Sequence, residues 1–257
     1  KEYKLCKIVM NEFIFGFMYD GINPQAWGGA TFLVHAPIGG TMNPDDFGVN
    51  GGWGGLRTTK GLVEKFDYAA TQSDGDGHPI AWSDARAMFH TDGQTYETEK
   101  MSTFKSGYAV RKFKNVDVNG NPGSDSSGDH PDMDVPIIRL AEVYLNYAEA
   151  VTRGGGGSMD TATQLINELR SRAGASAISS AQLNTDMVMD ERSRELYWEG
   201  LRRPDLIRSN KFVSNMYVWP FKGGAANGTG VSDHLKLFPI PEDVLLVNPN
   251  IKQNPNY

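Results

Sequence analysis

Apolar side chains recur with helical spacing in three stretches of the second half of the chain. The first stretch begins near Pro136, a residue that suits the first turn of a helix, and ends at the glycines of residues 154–157. Its apolar residues stand at i, i+3, i+4, i+7, i+8 and i+11, and they are Leu140, Val143, Tyr144, Tyr147, Ala148 and Val151. One stripe of this kind predicts an amphipathic helix with a single buried face.

A second helix is predicted directly after these glycines. It begins near Asp160 or Thr161 and ends at Gly174, because glycine commonly follows the last turn of a helix. Its apolar stripe consists of Ala162, Leu165, Ile166, Leu169 and Ala173. Two helices joined by a short glycine turn predict an antiparallel hairpin of the tetratricopeptide type. A third helix is predicted from about Asp186 to Gly200.

The first half of the chain shows other patterns. Residues 8–19 are rich in β-branched and aromatic residues, which predicts a strand or a buried segment. Residues 21–55 contain ten glycines and several aromatic rings. Each glycine inside a helix costs about 1 kcal/mol relative to alanine, so this stretch predicts an ordered loop without a regular helix. Residues 59–68 fit a short helix with apolar side chains on one side.

Composition and charge narrow the classes of function. The chain has 257 residues, a mean hydropathy of -0.43 and a formal net charge of -6. Binding to nucleic acid through phosphates needs lysine and arginine concentrated on one face, and this acidic balance opposes that function. The sequence contains no apolar run of membrane-spanning length. Because the chain begins at Lys1 and not at a methionine, we expect a fragment or a processed product.

The single cysteine, Cys6, is expected to be a small buried apolar residue. A cysteine that carries a lipid follows an apolar run and small residues, whereas Cys6 has only five residues before it. Cys6 is therefore not predicted to be a lipid anchor.

No arrangement of residues in the sequence is typical of catalysis. Glu191, Glu195 and Glu199 recur every four residues on the third predicted helix, a spacing that can hold a metal ion or move a proton. Arginines alternate with these carboxylates, so we expect ion pairs on the helix surface. A dimetal site in a helical bundle would also need a Glu-x-x-His motif, which this helix lacks.

Metal binding has weak support elsewhere in the sequence. The five histidines are far apart and match no zinc motif: His35, His78, His90, His130 and His234. The acidic loops at residues 74–77 and 125–134 could supply oxygen ligands to Ca²⁺, but neither has the spacing of a known calcium loop. We expect ordinary solvated loops and no cofactor, with Ca²⁺ as the alternative.

Aromatic residues in the first half of the chain are the strongest candidates for ligand binding. Tyr19, Trp27, Trp53 and Trp82 stand in or beside predicted loops. One face of a sugar ring consists of C–H groups that pack well on an indole or phenol ring, and a rigid ring loses little conformational entropy on binding. We predict a ligand site at these four residues, although any one of them could instead belong to the core. Trp198, on the third helix, is expected in the core.

Four segments in the second half follow one another in a fixed order. They are residues 136–150 (PIIRLAEVYLNYAEA), 166–174 (INELRSRAG), 191–208 (ERSRELYWEGLRRPDLIR) and 238–257, which begins FPIP and ends NPNIKQNPNY. In this order they resemble the C-terminal half of the SusD/RagB family of surface lipoproteins. A weaker resemblance extends over residues 11–115.

The resemblance implies a mainly α fold in which tetratricopeptide-like helical hairpins support a large irregular, loop-rich region. It implies a single SusD-like region over residues 1–257 that lacks the N-terminal half of the family members. Residues 1–135 would form the loop-rich, ligand-binding part, and residues 136–257 the helical part. It also implies a surface-exposed protein of the outer membrane, held by a lipid anchor on the missing N-terminal part.

The function implied by the resemblance is binding of oligosaccharides or polysaccharides, without cleavage, for uptake through a SusC-like TonB-dependent transporter. The alternative is a peptide- or protein-binding module of the RagB type. The two hypotheses differ in where the aromatic residues lie, because a glycan platform requires exposed rings.

Overall fold

A computed structural model describes residues 12–23 and 25–257. The described residues form two compact units, a first unit that ends at Glu199 and a second unit of residues 200–257. The boundary predicted between residues 135 and 136 falls inside the first unit. Cys6 lies outside the described residues, and the segment predicted as a strand at residues 8–19 is described only from residue 12.

Short antiparallel strand pairs belong to the loop-rich part of the first unit. The pairs are β1 (Phe13–Phe17) with β6 (Val135–Arg139), β2 (Ala70–Ser73) with β3 (Pro79–Trp82), and β4 (Phe89–His90) with β5 (Ala109–Val110). The β6 strand corrects the prediction that a helix begins near residue 136. Val135, Ile137 and Ile138 are β-branched and favour extended backbone, and β1 supplies the partner strand.

Helices and 3₁₀ turns are the other regular elements in the described part of the first unit. They are α1 (Ala30–His35), α2 (Lys60–Val63), α3 (Leu140–Thr152), α4 (Met159–Arg172) and α5 (Thr185–Leu196), together with 3₁₀ turns at Pro44–Phe47, Glu64–Ala69 and Ser180–Gln182. The α3 helix packs against both α4 and α5. The predicted hairpin of two helices is therefore present, and the mainly α fold class is confirmed.

The second unit is mostly irregular. It contains α6 (Arg202–Arg208), α7 (Glu242–Val247) and 3₁₀ turns at Lys222–Gly224 and Asp233–Lys236. The side-chain amide of Gln253 pairs with the backbone of Ile240, accepting from its N–H at 2.8 Å and donating to its carbonyl at 2.9 Å. This pair ties the C-terminal segment to residues 238–241. Within the described part of the chain, the helices lack the combination of length and apolar character that crossing a membrane requires.

The helix α1 corrects the prediction for the glycine-rich stretch. Residues 30–35 contain no glycine, and this short interval forms one and a half turns of helix between Gly29 and Gly39. Gly29 has a φ of 56°, a conformation that other residues rarely adopt. Gly29 therefore turns the chain at the start of α1, and the helix itself forms in a short interval without glycine.

The buried residues of α4 match the stripe predicted from helical spacing, and those of α3 differ from it. On α4 the predicted stripe is confirmed, since Ala162, Ile166 and Leu169 are buried. On α3 the buried apolar residues are Ala141, Leu145 and Ala148, so Ala148 alone of the predicted stripe is fully buried, and Val143 is 42% exposed. The α3 helix packs against both α4 and α5, so its buried residues are not confined to one narrow stripe.

The carboxylate row of α5 is buried, which corrects the prediction of ion pairs on the helix surface. Glu191 is 0% exposed, and Glu195 is also buried. The helix ends at Leu196, so Glu199 lies beyond it, after Trp198 has turned the backbone with a φ of 64°. Trp198 is only partly buried, although it packs against the core as expected.

Cations from distant segments bind this row. Arg86 contacts Glu191 at 2.8 Å and Glu195 at 3.1 Å. Arg139, at the end of β6, contacts Glu195 and Glu199, each at 2.7 Å. Further cations complete the cluster, and they are Lys112, Arg170, Arg172 and Arg194. Buried charges are tolerated only when they are paired and hydrogen bonded, and each carboxylate here binds at least two cations.

The pKa shifts in this ion-pair cluster follow from burial and charge. Burial by itself raises the pKa of Glu195, but the charges of Arg139, Arg172 and Arg86 outweigh burial and hold that pKa well below its ordinary value. The pKa of Glu191 is lowered in the same way. Burial lowers the pKa of Lys112 to about 8, because removing its ammonium from water costs more than attraction to the neighbouring carboxylates returns.

Replacing the buried Leu145 by alanine should reduce the free energy of unfolding by about 2 to 5 kcal/mol, because the change leaves a cavity between packed helices. Val143→Ala on the exposed side of the same helix is the control and should cost less than about 1 kcal/mol. Chemical denaturation of both variants measures the difference. Equal losses for the two variants would show that the buried face of α3 is misassigned.

Glu195→Gln should reduce the free energy of unfolding by about 3 to 5 kcal/mol near neutral pH, because it leaves arginines buried without a charge partner. Glu97→Gln is the control, since Glu97 pairs with Lys60 in solvent and such pairs contribute about 1 kcal/mol or less. A carboxylate with a lowered pKa stabilises the fold above the unfolded value of about 4.3 and loses this contribution as pH falls. Denaturation below about pH 5 should therefore show a shallower pH dependence for Glu195→Gln than for the parent. Identical slopes would contradict the assignment.

Candidate functional site

Three aromatic rings lie exposed side by side in the first unit. Trp27 is 59% exposed, Trp53 45% and Phe32 43%. The Trp53 ring lies between the others, with its centroid 6.5 Å from that of Trp27 and 6.2 Å from that of Phe32. We call Trp27, Phe32 and Trp53 the aromatic surface.

Backbone hydrogen bonds hold Trp53 against the end of α1. The Trp53 N–H donates to the carbonyl of His35 at 2.9 Å, and the Gly54 N–H donates to the carbonyl of Ile38 at 2.8 Å. At Gly52 the two segments are so close that a Cβ atom would lie 2.3 Å from the Ile38 oxygen. The glycines of this loop therefore permit the close approach that positions Trp53.

A second loop, residues 125–134, supports Trp27. The ring centroid of His130 lies 4.9 Å from that of Trp27. The carboxylate of Asp125 accepts the backbone N–H of His130 at 2.9 Å, and the carboxylate of Asp132 accepts the N–H of Gly21 at 2.7 Å. Aspartates thus fix the two loops that meet at Trp27.

The side chain of Tyr19 is half-buried and lies beside Gly29, the residue that precedes α1. Its backbone N–H donates to the carboxylate of Asp134 at 3.1 Å. Its hydroxyl occupies the space over Gly29, where a Cβ atom would lie 1.7 Å from the Tyr19 oxygen. The ring also packs against the core beneath α1. Tyr19 therefore holds the segment that leads from Trp27 into the helix.

Trp82 belongs to a different aromatic cluster. Its ring lies at the end of β3, with centroids 5.2 Å from Phe89 and 6.5 Å from Tyr108. Its indole N–H is buried and has no hydrogen-bond partner among the residues that the structure describes. Of the four predicted residues, Trp27 and Trp53 are brought together and Tyr19 supports them. A ligand contact at Trp82 stays a prediction.

Three residues of this region were not predicted from the sequence. Phe32 forms part of the aromatic surface, and its position in a glycine-free interval near Trp27 was the signal that could have found it. The His35 ring is stacked on Trp53 at a centroid distance of 5.4 Å and an interplanar angle of 18°. His130 contacts Trp27. No sequence pattern marks the two histidines, because their partners are distant in the chain.

The carboxylates of the acidic loops accept hydrogen bonds from backbone N–H groups of the same loops. Among the residues described, Asp74, Asp76 and His78 form a group whose potential metal-ligating atoms lie within 4.8 Å of one another. The Asp74 carboxylate accepts the backbone N–H of His78 at 2.8 Å and the backbone N–H of Asp76 at 3.0 Å. These bonds lower the pKa of Asp74, and the N–H of Ser127 lowers the pKa of Asp125 in the same way. Tight turns account for both arrangements.

Comparison with known proteins gives matches over nearly the whole chain. The model of the SusD family matches residues 89–257. The starch-binding protein SusD of Bacteroides thetaiotaomicron is 32% identical over 281 residues, which cover 96% of this chain and 49% of that protein. The chain spans about half the length of this relative.

Solved structures with a similar fold include surface glycan-binding protein A from Bacteroides thetaiotaomicron, with a TM-score of 0.67 and 24% identity over 96% of this chain and 52% of that one. The structure of surface glycan-binding protein A from that organism in complex with laminarihexaose has a TM-score of 0.62 and 25% identity, over 95% of this chain and 52% of that one. A SusD-like protein from Bacteroides fragilis has a TM-score of 0.61 and 20% identity, over 96% of this chain and 54% of that one. These likenesses support the fold described above.

Gly52→Ala should destabilise the first unit by about 1 to 3 kcal/mol and displace the Trp53 loop, because the added methyl group overlaps backbone atoms of Ile38. Gly51→Ala is the matched control, since a Cβ atom at Gly51 has no neighbour within 4 Å. Denaturation measures stability, and quenching of tryptophan fluorescence by acrylamide reports the accessibility of the rings. Similar behaviour of the two variants would contradict the described packing of this loop.

Proposed function

The chain belongs to the SusD family, and we propose on this basis that it binds oligosaccharides or polysaccharides at the aromatic surface without cleaving them. The exposure of Trp27 and Trp53 on adjoining loops is the observation that carries the proposal. Large apolar rings grouped together in solvent are unusual in soluble proteins and commonly mark a place where a ligand binds.

The geometry of the rings suits a sugar chain. The planes of Trp27 and Trp53 are inclined by 44°, so one flat sugar ring cannot lie on both. Successive sugar units that turn relative to one another can each place a C–H face on one indole. Starch and laminarihexaose appear in the names of relatives, and they supply the first glucans to test.

Binding without turnover fits the chemistry of the buried carboxylates. Hydrolysis of a glycosidic bond normally uses two carboxyl groups, one of which carries a proton near neutral pH. Glu191, Glu195 and Glu199 are paired with arginine or lysine, and their pKa values are lowered, so they make poor proton donors. The relatives described above are named as binding proteins, which supports the same conclusion.

The wider role follows from family membership. The full-length protein is proposed to be a lipoprotein exposed on the outer membrane, where it delivers glycan to a SusC-like TonB-dependent transporter. The lipid anchor is proposed to lie on an N-terminal part of the full-length protein, since this chain spans about half the length of its relative. The alternative of a RagB-type peptide- or protein-binding module is less favoured, because Trp27 and Trp53 lie exposed and not in the core.

Trp27→Ala and Trp53→Ala should each weaken binding of maltoheptaose or laminarihexaose by about 30-fold or more, the effect of losing a central aromatic contact. The melting temperature should change little, because exposed rings contribute little to the core. Phe17→Ala is the control, since that ring is also exposed but lies on β1, outside the aromatic surface. Isothermal titration calorimetry gives the affinities.

Two results would overturn the proposal. Release of shorter sugars from either glucan by the pure protein would contradict binding without cleavage. Binding of peptides from a casein digest, with no binding of a panel of soluble glycans, would establish the RagB-type alternative.

A further inference from the structure

His35 is buried directly beneath the aromatic surface. It is the last residue of α1 and is 2% exposed. Its ring is stacked on the ring of Trp53, and its backbone carbonyl accepts the Trp53 N–H. The orientation of Trp53 therefore depends on how His35 is held.

Both ring nitrogens of His35 face backbone carbonyl oxygens. The Nδ1 atom lies 2.8 Å from the oxygen of Gly51, and the Nε2 atom lies 3.0 Å from the oxygen of Asp129. A carbonyl oxygen can only accept a hydrogen bond, whereas a neutral imidazole has one N–H and one lone pair. A neutral ring would direct its lone pair at one of the two oxygens, and only the imidazolium donates to both.

We propose that His35 acts as an imidazolium and is a positioning residue of the aromatic surface, so that glycan binding weakens as pH rises through the range in which histidine titrates. This inference rests on the proposed glycan-binding function. Loss of the second proton removes one hydrogen bond, so the contribution of His35 is present at lower pH and is lost as pH rises.

The two hydrogen bonds join the segments that carry the aromatic surface. Gly51 belongs to the loop that carries Trp53, and Asp129 precedes His130, which supports Trp27. His35 itself closes the helix that carries Phe32. A charged ring stacked on an indole also gains a cation–π attraction. Deprotonation therefore removes the hydrogen bond from α1 to one of the two loops, together with the cation–π attraction to the Trp53 ring.

Of the three segments that His35 joins, only the loop of residues 125–134 carries other titratable side chains. Helix α1 and residues 50–55 contain no other titratable side chain. The loop of residues 125–134 contributes Asp125, Asp129, His130, Asp132 and Asp134. The Asp129 carboxylate accepts from Asn50 at 2.6 Å and from Ser127 at 3.1 Å. His130 is the other histidine beside the aromatic surface, so a variant at His130 separates its effect on binding from that of His35.

The protonation of His35 can be measured without glycan. Long-range ¹H–¹⁵N NMR of the chain labelled with ¹⁵N-histidine, assigned with His35→Gln, reports whether each ring nitrogen carries a proton. At about pH 7 both nitrogens of His35 should carry protons, because each of them faces a carbonyl oxygen that can only accept a hydrogen bond. A neutral ring with one unprotonated nitrogen at that pH would overturn the proposal.

The pH profile of binding tests the positioning role. Affinity of the parent for maltoheptaose or laminarihexaose should fall about tenfold between about pH 6 and about pH 8.5, as expected for one lost buried hydrogen bond. His130→Gln loses a contact with Trp27 and should bind more weakly at every pH while keeping this fall, whereas His35→Gln should bind weakly with no such pH dependence. A His35→Gln variant that folds and keeps the parental pH profile would contradict the positioning role.

Failure of glycan binding and failure of this inference are distinguishable. If neither glucan binds at any pH, the proposed function fails, while the NMR of the parent still decides the state of His35. The indole N–H signal of Trp53 should also shift over the same pH range in the absence of sugar. If that signal does not move while His35 loses its proton, His35 does not position Trp53.

Discussion

Buried ion pairs between the carboxylates of α5 and arginines from distant segments hold the first unit together. Arg86 follows β3, Arg139 ends β6 and Arg170 stands on α4, and all of them reach Glu191 or Glu195. Buried carboxylates without these cations would be strongly unfavourable, so the helical and loop-rich parts must assemble in one arrangement. Charge pairing here sets the arrangement of segments, and apolar burial supplies the general driving force.

The backbone of residues 125–139 connects the aromatic surface to this ion-pair cluster. Arg139 fixes the end of β6, and the loop of residues 125–134 leads directly into that strand. The same loop supports Trp27 through His130 and meets His35 through a backbone carbonyl. Exposed rings gain little stability from burial, so the buried polar contacts beneath them fix their positions.

The sequence predicted what depends on local spacing and missed what depends on distant partners. The stripe of α4 was predicted correctly because its buried residues repeat within the helix itself. The strand β6 needs β1 as its partner, and Arg86 stands 105 residues before Glu191, so no local pattern shows either contact. Trp27 and Trp53 could be chosen as candidates from their glycine-rich surroundings, but their proximity and their contacts with histidine could not.

The central claim is that the aromatic surface is where a glycan binds, and NMR titration of the five indole N–H signals tests it most directly. On addition of maltoheptaose or laminarihexaose, the signals of Trp27 and Trp53 should shift together with a single affinity. The signal of Trp198, which packs against buried core residues, should stay in place. Saturable shifts elsewhere, with the signals of Trp27 and Trp53 unchanged, would contradict the account.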